Sequence, residues 1–214
     1  MKKKTESKGL YIDAKESRNI AKENHRTIRE LKKKRAAYKP SDYITEMRDP
    51  ANIVEFDDLH TFFYTDNGVV KAVNGVSLSI EKGQTLGLVG ETGAGKTTTA
   101  LSILRLLSEP PAEICGGQIL LNGRDLLQMK DSELRKIRGN EISMIFQDPM
   151  TALNPVLTVG EQIAEVVRIH KKISRKEALK TAAEMLETVG IPAERLGDYP
   201  HQFSGGMKQR VVIA

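Results

Sequence analysis

Tryptophan is missing from this 214-residue chain, cysteine occurs once, and phenylalanine and tyrosine are represented five times each. The single thiol, Cys115, rules out an internal disulfide, and the four histidines (His25, His60, His170, His201) have no metal-ligand spacing with it or with one another. Long apolar runs are missing too. No stretch approaches the ~18 residues that a membrane span requires, and the mean hydropathy is -0.37. No secretory leader is expected at the start of the chain, because Thr5-Glu6-Ser7-Lys8 follows Met1-Lys2-Lys3-Lys4 where apolar residues would be needed. These absences point to a cytosolic protein without a structural metal. The length allows one large domain or two small ones with a substantial core.

Charge is present, but unevenly. The formal net charge of +5 suggests an anionic partner at first. Residues 1–40, however, hold 14 Lys/Arg and 5 Asp/Glu, a net +9, which leaves 19 and 23, a net -4, for residues 41–214. From Asp13 to Ala37 the tail is rich in Ala, Glu, Lys and Arg, with Glu30 and Lys34 at i,i+4 spacing, so a charged helix is expected there. Its apolar residues (Ile12, Ile20, Ile28, Leu31) recur too sparsely for a buried stripe, which predicts a solvated helix. Docking onto anionic lipid is the sharper alternative. Nucleic-acid binding is disfavoured because no aromatics interleave with the charge. Pro40 and Pro50 bracket a linker, within which Met47 is an alternative start residue.

Beyond the linker, Ile53–Tyr64 and Val69–Ile80 read as strands around the turn signal Asp66-Asn67-Gly68. Thr85-Leu86-Gly87-Leu88-Val89 reads as a strand buried on both faces. Gly90-Glu91-Thr92-Gly93-Ala94-Gly95-Lys96-Thr97-Thr98 then fits G-x-x-x-x-G-K-[ST], directly after that strand and before a helical run from Lys96 to Leu107. The spacing suits a triphosphate. Successive backbone N–H groups capped by a helix N-terminus present aligned donors to phosphate oxygens, and glycine permits backbone conformations that a Cβ would obstruct. Lys96 supplies a point charge for the β and γ phosphates, and the Thr97 hydroxyl is placed to ligate Mg²⁺. Such a loop establishes nucleoside triphosphate binding and no more.

Three further segments narrow the reading. Ile142–Phe146 followed by Gln147-Asp148-Pro149-Met150-Thr151-Ala152-Leu153-Asn154-Pro155 resembles the strand and Q-loop of ABC transporter ATP-binding subunits of the oligopeptide/dipeptide importer branch. Tyr199-Pro200-His201-Gln202-Phe203-Ser204-Gly205-Gly206-Met207-Lys208-Gln209-Arg210 resembles that branch's signature motif, with Met207 as subfamily character. Phe63-Tyr64-Thr65-Asp66-Asn67-Gly68-Val69-Val70-Lys71-Ala72-Val73 resembles its adenine-stacking loop. The resemblance runs from about Ile53 to Ala214. It implies an α/β fold: a P-loop NTPase (RecA-like) core at 51–148, with an antiparallel β-subdomain, an inserted helical subdomain with the signature motif at 149–214, and a basic tail and linker at 1–50.

By that resemblance the cofactors are ATP and Mg²⁺, with Gln147 beside Thr97 at the metal and Ser204, Gly205, Gly206 and Met207 contacting the γ phosphate held by the opposite subunit. Phe63 fits the adenine-stacking position best; Tyr64 or Phe62 would serve if the register slips by one, and all three could simply pack. The implied partners are a second ATP-binding subunit, transmembrane permease subunits and, indirectly, an extracytoplasmic solute-binding protein, with no nucleic acid. The implied location is the cytoplasmic face of the membrane. Between Q-loop and signature, Val159–His170 places Ile163, Val166, Val167 and His170 on one helix face. Ser174-Arg175-Lys176-Glu177 is a capping box opening a second helix.

The family's Walker B strand, with its Mg²⁺-binding Asp and catalytic Glu, and its switch His have no counterpart among the 214 residues, so the C-terminal part of the core is expected to be absent and Lys96 and Gln147 are the catalytic residues that can be carried over. Background ATP hydrolysis by this chain alone and exposed apolar edge are the corresponding expectations. A non-hydrolysing ATP-binding or regulatory chain, or an importer ATPase for nickel or another small solute, are the competing readings.

Overall fold

The structure, a computed structural model, describes residues 14–39, 44–146 and 148–214. By contact density the chain divides into two compact units, at Leu134 and Arg135. The division falls ahead of the 148/149 boundary expected from sequence. No helix among the described residues is long and apolar enough to cross a membrane.

The first unit is built on a four-stranded antiparallel sheet in the order β2-β1-β3-β4, with β1 at Asn52–Thr65, β2 at Gly68–Glu81, β3 at Ala112–Leu121 and β4 at Arg124–Asp125. The first two strands form a hairpin through Asp66-Asn67, closed by the Thr65 hydroxyl donating to the Gly68 carbonyl at 2.8 Å. Their β-branched and aromatic content suits a half-buried pleated surface. Phe56, Leu59, Ile119, Leu121 and Leu126 form part of the core beside them. Register slips where β1 bulges past Asp57 and Asp58, and β3 answers with Gly117 at φ +88°, because a Cβ there would overlap the Asp57 and Asp58 carbonyl oxygens.

The basic helix α1, Ala14–Ala36, is not a solvated appendage. Ser17, Ile20, Ala21, Asn24, Thr27, Ile28 and Leu31 are half-buried along one side, and Asn24 donates from Nδ2 to the Thr65 carbonyl at 3.2 Å. Counting apolar residues alone missed this stripe, because serine, alanine, asparagine and threonine complete its helical spacing. The linker is tied down as well. Thr45 N–H donates to the Gly123 carbonyl, and the N–H groups of Arg48 and Asp49 donate to the buried Glu55 carboxylate at 2.9 and 3.1 Å.

Two expected strands are absent. Residues 85–89 are irregular, with Leu86, Leu88 and Val89 exposed, and residues 143–146 are also irregular, with Ile145 and Phe146 exposed. A doubly buried strand needs ladder partners on its edges; among the described residues none pairs with 85–89, and 142–146 has only an isolated bridge between Ile142 and Arg138. The helix after the P-loop, α2 at Lys96–Ile103, is also shorter than expected. Arg105 turns to φ +48° and its guanidinium donates to the Met129 carbonyl and the Asp131 carboxylate, at 2.6 and 2.8 Å. Asp131–Ile137 forms α3.

The second unit is helical: α4 at Pro149–Ala152, α5 at Val159–His170, α6 at Arg175–Thr188 and α7 at Gly205–Ile213, with short 3-10 turns at Ala193–Gly197 and Pro200–Gln202. Its core joins Val159, Ile163, Ala164, Ala178, Ala182, Leu186, Ile191, Phe203 and Val211. The capping box of α6 is present, with the Ser174 hydroxyl accepting from Glu177 N–H and the Glu177 side chain accepting from Ser174 N–H. The apolar face of α5 is rotated from expectation: Val159, Ile163 and Ala164 are buried, while Val166 and His170 are exposed. Gly160 sets that rotation. It lies so close to Leu196 that any side chain would collide, so the inward face starts at Val159–Gly160.

Candidate functional site

In the first unit the loop from Gly90 to Gly95 leads into α2. Gly93 and Gly95 both take positive φ, +86° and +81°, and Ala94 N–H closes a turn onto the Glu91 carbonyl at 3.1 Å. Left-handed glycines alternating with ordinary residues turn successive N–H groups toward one concavity. Gly95 caps the helix in this conformation, and a Cβ on it would overlap the Ala72 carbonyl oxygen of β2. Lys96 folds back across the loop, its ammonium donating to the Gly90 and Glu91 carbonyls at 2.6 and 2.7 Å. That places one positive charge within the turn that Gly90, Glu91, Thr92, Gly93 and Ala94 trace.

The helix itself is braced on the sheet. Thr99 and Ser102 are buried, the Ser102 hydroxyl donates to the Thr98 carbonyl at 2.7 Å, and it meets the hydroxyl of Thr61 on β1 at 3.0 Å. Thr97, between the loop and that buried face, is exposed. The positive end of a short helix is thus held at a set position by side chains that never reach the loop.

Strand alternation sorts the three aromatic candidates. Phe63 shares the face of β1 with Thr61, the side on which α2 lies. Phe62 lies on the other face, edge-on to His60 at 5.9 Å and beneath the Lys71 ammonium at 5.5 Å. The Tyr64 hydroxyl meets the Cys115 sulfur at 3.3 Å, and burial, followed by that contact, pushes its pKa upward. Cys115 lies inside β3.

Gln147 lies outside the described residues. The segment after it is described. Asn154 N–H donates to Gln162 Oε1 at 2.9 Å, and Gln162 Nε2 donates to the carbonyls of Asn154 and Leu157 at 3.0 and 3.1 Å. Gln162, a surface residue of α5, therefore holds the loop ahead of its own helix. Nothing in its sequence setting marks it.

In the second unit Ser204 is the N-cap of α7, its hydroxyl accepting from Met207 N–H at 3.4 Å. Gly205 and Gly206 are exposed, with open space where a Cβ would stand. Phe203, just before the cap, is buried. Arg195 lies 4.3 Å above its ring and donates from Nε to Asp198 at 2.7 Å and from Nη2 to the Gln202 carbonyl at 3.1 Å. Its Nη1 also reaches the Met207 sulfur at 3.6 Å. One guanidinium thus contacts both sides of the Ser204-Gly205-Gly206 turn. Arg195 was not legible as a site residue, because eight positions separate it from Phe203 and no motif links them.

Both helix starts and the sheet that braces the first belong to an ATP-binding cassette architecture. A family model described as ABC transporter matches residues 73–214, and the chain belongs to that family. Among curated relatives, the dipeptide transport ATP-binding protein DppD of Bacillus subtilis is 53% identical over 164 residues, covering 76% of this chain and 49% of the relative. A probable peptide ABC transporter ATP-binding protein of Sinorhizobium fredii is 52% identical with the same coverage. The chain spans about half the length of the curated relatives it matches. Two solved structures of a dimeric ATP-binding cassette, one in a post-hydrolysis state bound to ADP and Pi, align with TM-scores of 0.65 and 0.64 at 26% and 25% identity. Each alignment covers 75% of this chain and 67% of the cassette.

Proposed function

We propose that this chain is part of the ATP-binding subunit of an importer that couples ATP binding and hydrolysis to the uptake of dipeptides or oligopeptides. The observation that carries the reading is the Gly90–Thr98 loop, with two left-handed glycines, an inward lysine and a helix start locked to the sheet through Gly95 and Ser102. The relatives' dipeptide and peptide transport names supply the substrate class.

The donor set fits Mg-ATP. Backbone N–H groups of Gly93 and of Gly95 to Thr98 and the Lys96 ammonium are hard donors for phosphate oxygens, and the exposed Thr97 hydroxyl, together with Gln147, supplies oxygen ligands suited to Mg²⁺. When bound, the metal neutralises charge building on the transferring phosphoryl group. The chain's own contribution is to hold the β and γ phosphates with Lys96 and the loop amides, and to orient the triphosphate by the fixed axis of α2. Phe63 supplies the adenine platform. Ser204, Gly205, Gly206 and Met207 present a second helix start to the γ phosphate of a partner subunit, so ATP lies between two chains. Catalysis is then positioning and electrostatic stabilisation.

The partners are accordingly a second ATP-binding subunit and membrane-embedded permease subunits, reached from the cytoplasmic side. Uptake by the complete transporter in membrane vesicles is the test. Labelled dipeptide should accumulate with ATP and cease on Lys96→Ala; nickel uptake without dipeptide uptake would replace the substrate assignment, and uptake indifferent to Lys96→Ala would refute the role.

A further inference from the structure

The outer side of α1 carries a straight row of cations that the nucleotide site does not use. Lys15, Arg18, Lys22, Arg26, Arg29 and Lys33 succeed one another at steps of three or four residues, and all six are exposed. At 100° per residue they fall within one narrow sector, opposite the half-buried stripe that faces the sheet. The row runs ~27 Å at 1.5 Å per residue. The helix as a whole has nine Lys/Arg against three Asp/Glu. Those three, Glu16, Glu23 and Glu30, recur every seventh residue and so lie together on one flank. Arg26 reaches that flank, bonding Glu30 at 3.1 Å, with both side chains exposed.

We infer that this ridge is a contact surface for anionic lipid headgroups, with α1 lying along a bilayer while its other side stays docked on the sheet. Two features favour a plane over a nucleic-acid groove. A groove has phosphates on both walls, so the carboxylate flank would face one wall and be repelled; against a flat surface only the ridge makes contact. The ridge also has no aromatic residue for base stacking. The apolar residues of the helix between its two ends, Ile20, Ala21, Ile28 and Leu31, all lie in the half-buried stripe, so α1 has no apolar face left to insert, and its binding is electrostatic at headgroup level. Each Lys or Arg near such a surface contributes about five-fold in partitioning. This inference does not depend on the nucleotide site.

The test is flotation of the 214-residue chain with vesicles of phosphatidylcholine alone or mixed with phosphatidylglycerol. Binding is expected only to the anionic vesicles, and it should fall steeply as salt shortens the Debye length from about 10 Å at 0.1 M to about 3 Å at 1 M. A quadruple variant, Lys22→Gln, Arg26→Gln, Arg29→Gln and Lys33→Gln, should lower partitioning by two to three orders of magnitude. Glutamine is a good helix former, and circular dichroism verifies that the helix persists. A variant with the same charge change in the helical unit, at the exposed Lys171, Lys172, Lys176 and Lys180, should bind as the parent does. Equal loss in both variants, equal binding to neutral vesicles, or ridge-dependent binding to duplex DNA with none to anionic vesicles would overturn the inference. The salt titration of the parent chain needs no variant, and salt-insensitive binding would overturn it too.

Discussion

Gly95 shows how one residue can be required twice. It caps α2 in the left-handed region, and it leaves room for the Ala72 carbonyl of the neighbouring strand. Alanine in a left-handed conformation costs about 1–2 kcal/mol, and the overlap with Ala72 adds to it. Gly95→Ala is therefore expected to lower the melting temperature of the first unit and to weaken ATP binding together, as thermal unfolding and nucleotide titration on the same sample would show. Arg195 is the counterpart in the second unit. Arg195→Ala removes charge-assisted bonds to Asp198 and the Gln202 carbonyl and the stacking on Phe203, and should destabilise the helical unit by about 2 kcal/mol. Arg195→Lys should recover little, because an ammonium lacks the planar fork that reaches several acceptors at once. Denaturant melts of the three proteins settle the comparison. The loop glycines and Lys96 were legible because their chemistry is local and sequential; Arg195 was not, because its partners meet it only after α7 and the preceding 3-10 turns have folded.

At the scale of elements, the hairpin of β1 and β2 and the cap of α6 follow from short-range signals and were readable to within a residue or two. The segments 85–89 and 142–146 were readable as apolar but not as strands, since a strand's state depends on ladder partners that local composition does not reveal. The helix α1 was legible as a helix while its docked stripe was not, because small polar residues fill half of it. Capping energetics can be checked directly. Ser174→Ala should cost α6 about 1 kcal/mol, visible as faster amide exchange across Arg175–Thr188 with little change in the first unit. Glu55 ties the linker to β1 and gives a pH signature. Burial pushes its carboxyl upward, but bonds from Asn52 and from the Arg48 and Asp49 N–H groups, with the nearby Arg48 charge, outweigh burial and hold it below the ordinary glutamate value. A lowered carboxyl stabilises the fold above its ordinary value and loses that contribution as pH falls through the folded value. Asp125, raised by burial despite bonds from Leu127 and Gln128, works in the opposite sense. The difference between parent and Glu55→Gln isolates the first: the gap in stability should be present at neutral pH and close on acidification below the ordinary carboxylate range.

At the scale of the molecule, each unit offers one glycine-bearing helix start, and each start is fixed from behind by buried or stacked side chains rather than from the loop itself. This division suits a device in which one chain holds a triphosphate and another closes on it. Mixing Lys96→Ala chains with Ser204→Arg chains should restore one complete composite site per mixed pair, so ATP-dependent association should reappear in the mixture while each variant alone shows little. The most direct measurement is an equilibrium titration of the chain with ATP, ADP and AMP in the presence of Mg²⁺. If the loop grips β and γ phosphates, affinity should fall from ATP to ADP and nearly vanish for AMP, and Lys96→Ala should remove the preference for ATP. Equal affinity for all three nucleotides, or a phosphate preference untouched by Lys96→Ala, would contradict the assignment of this loop as the triphosphate site.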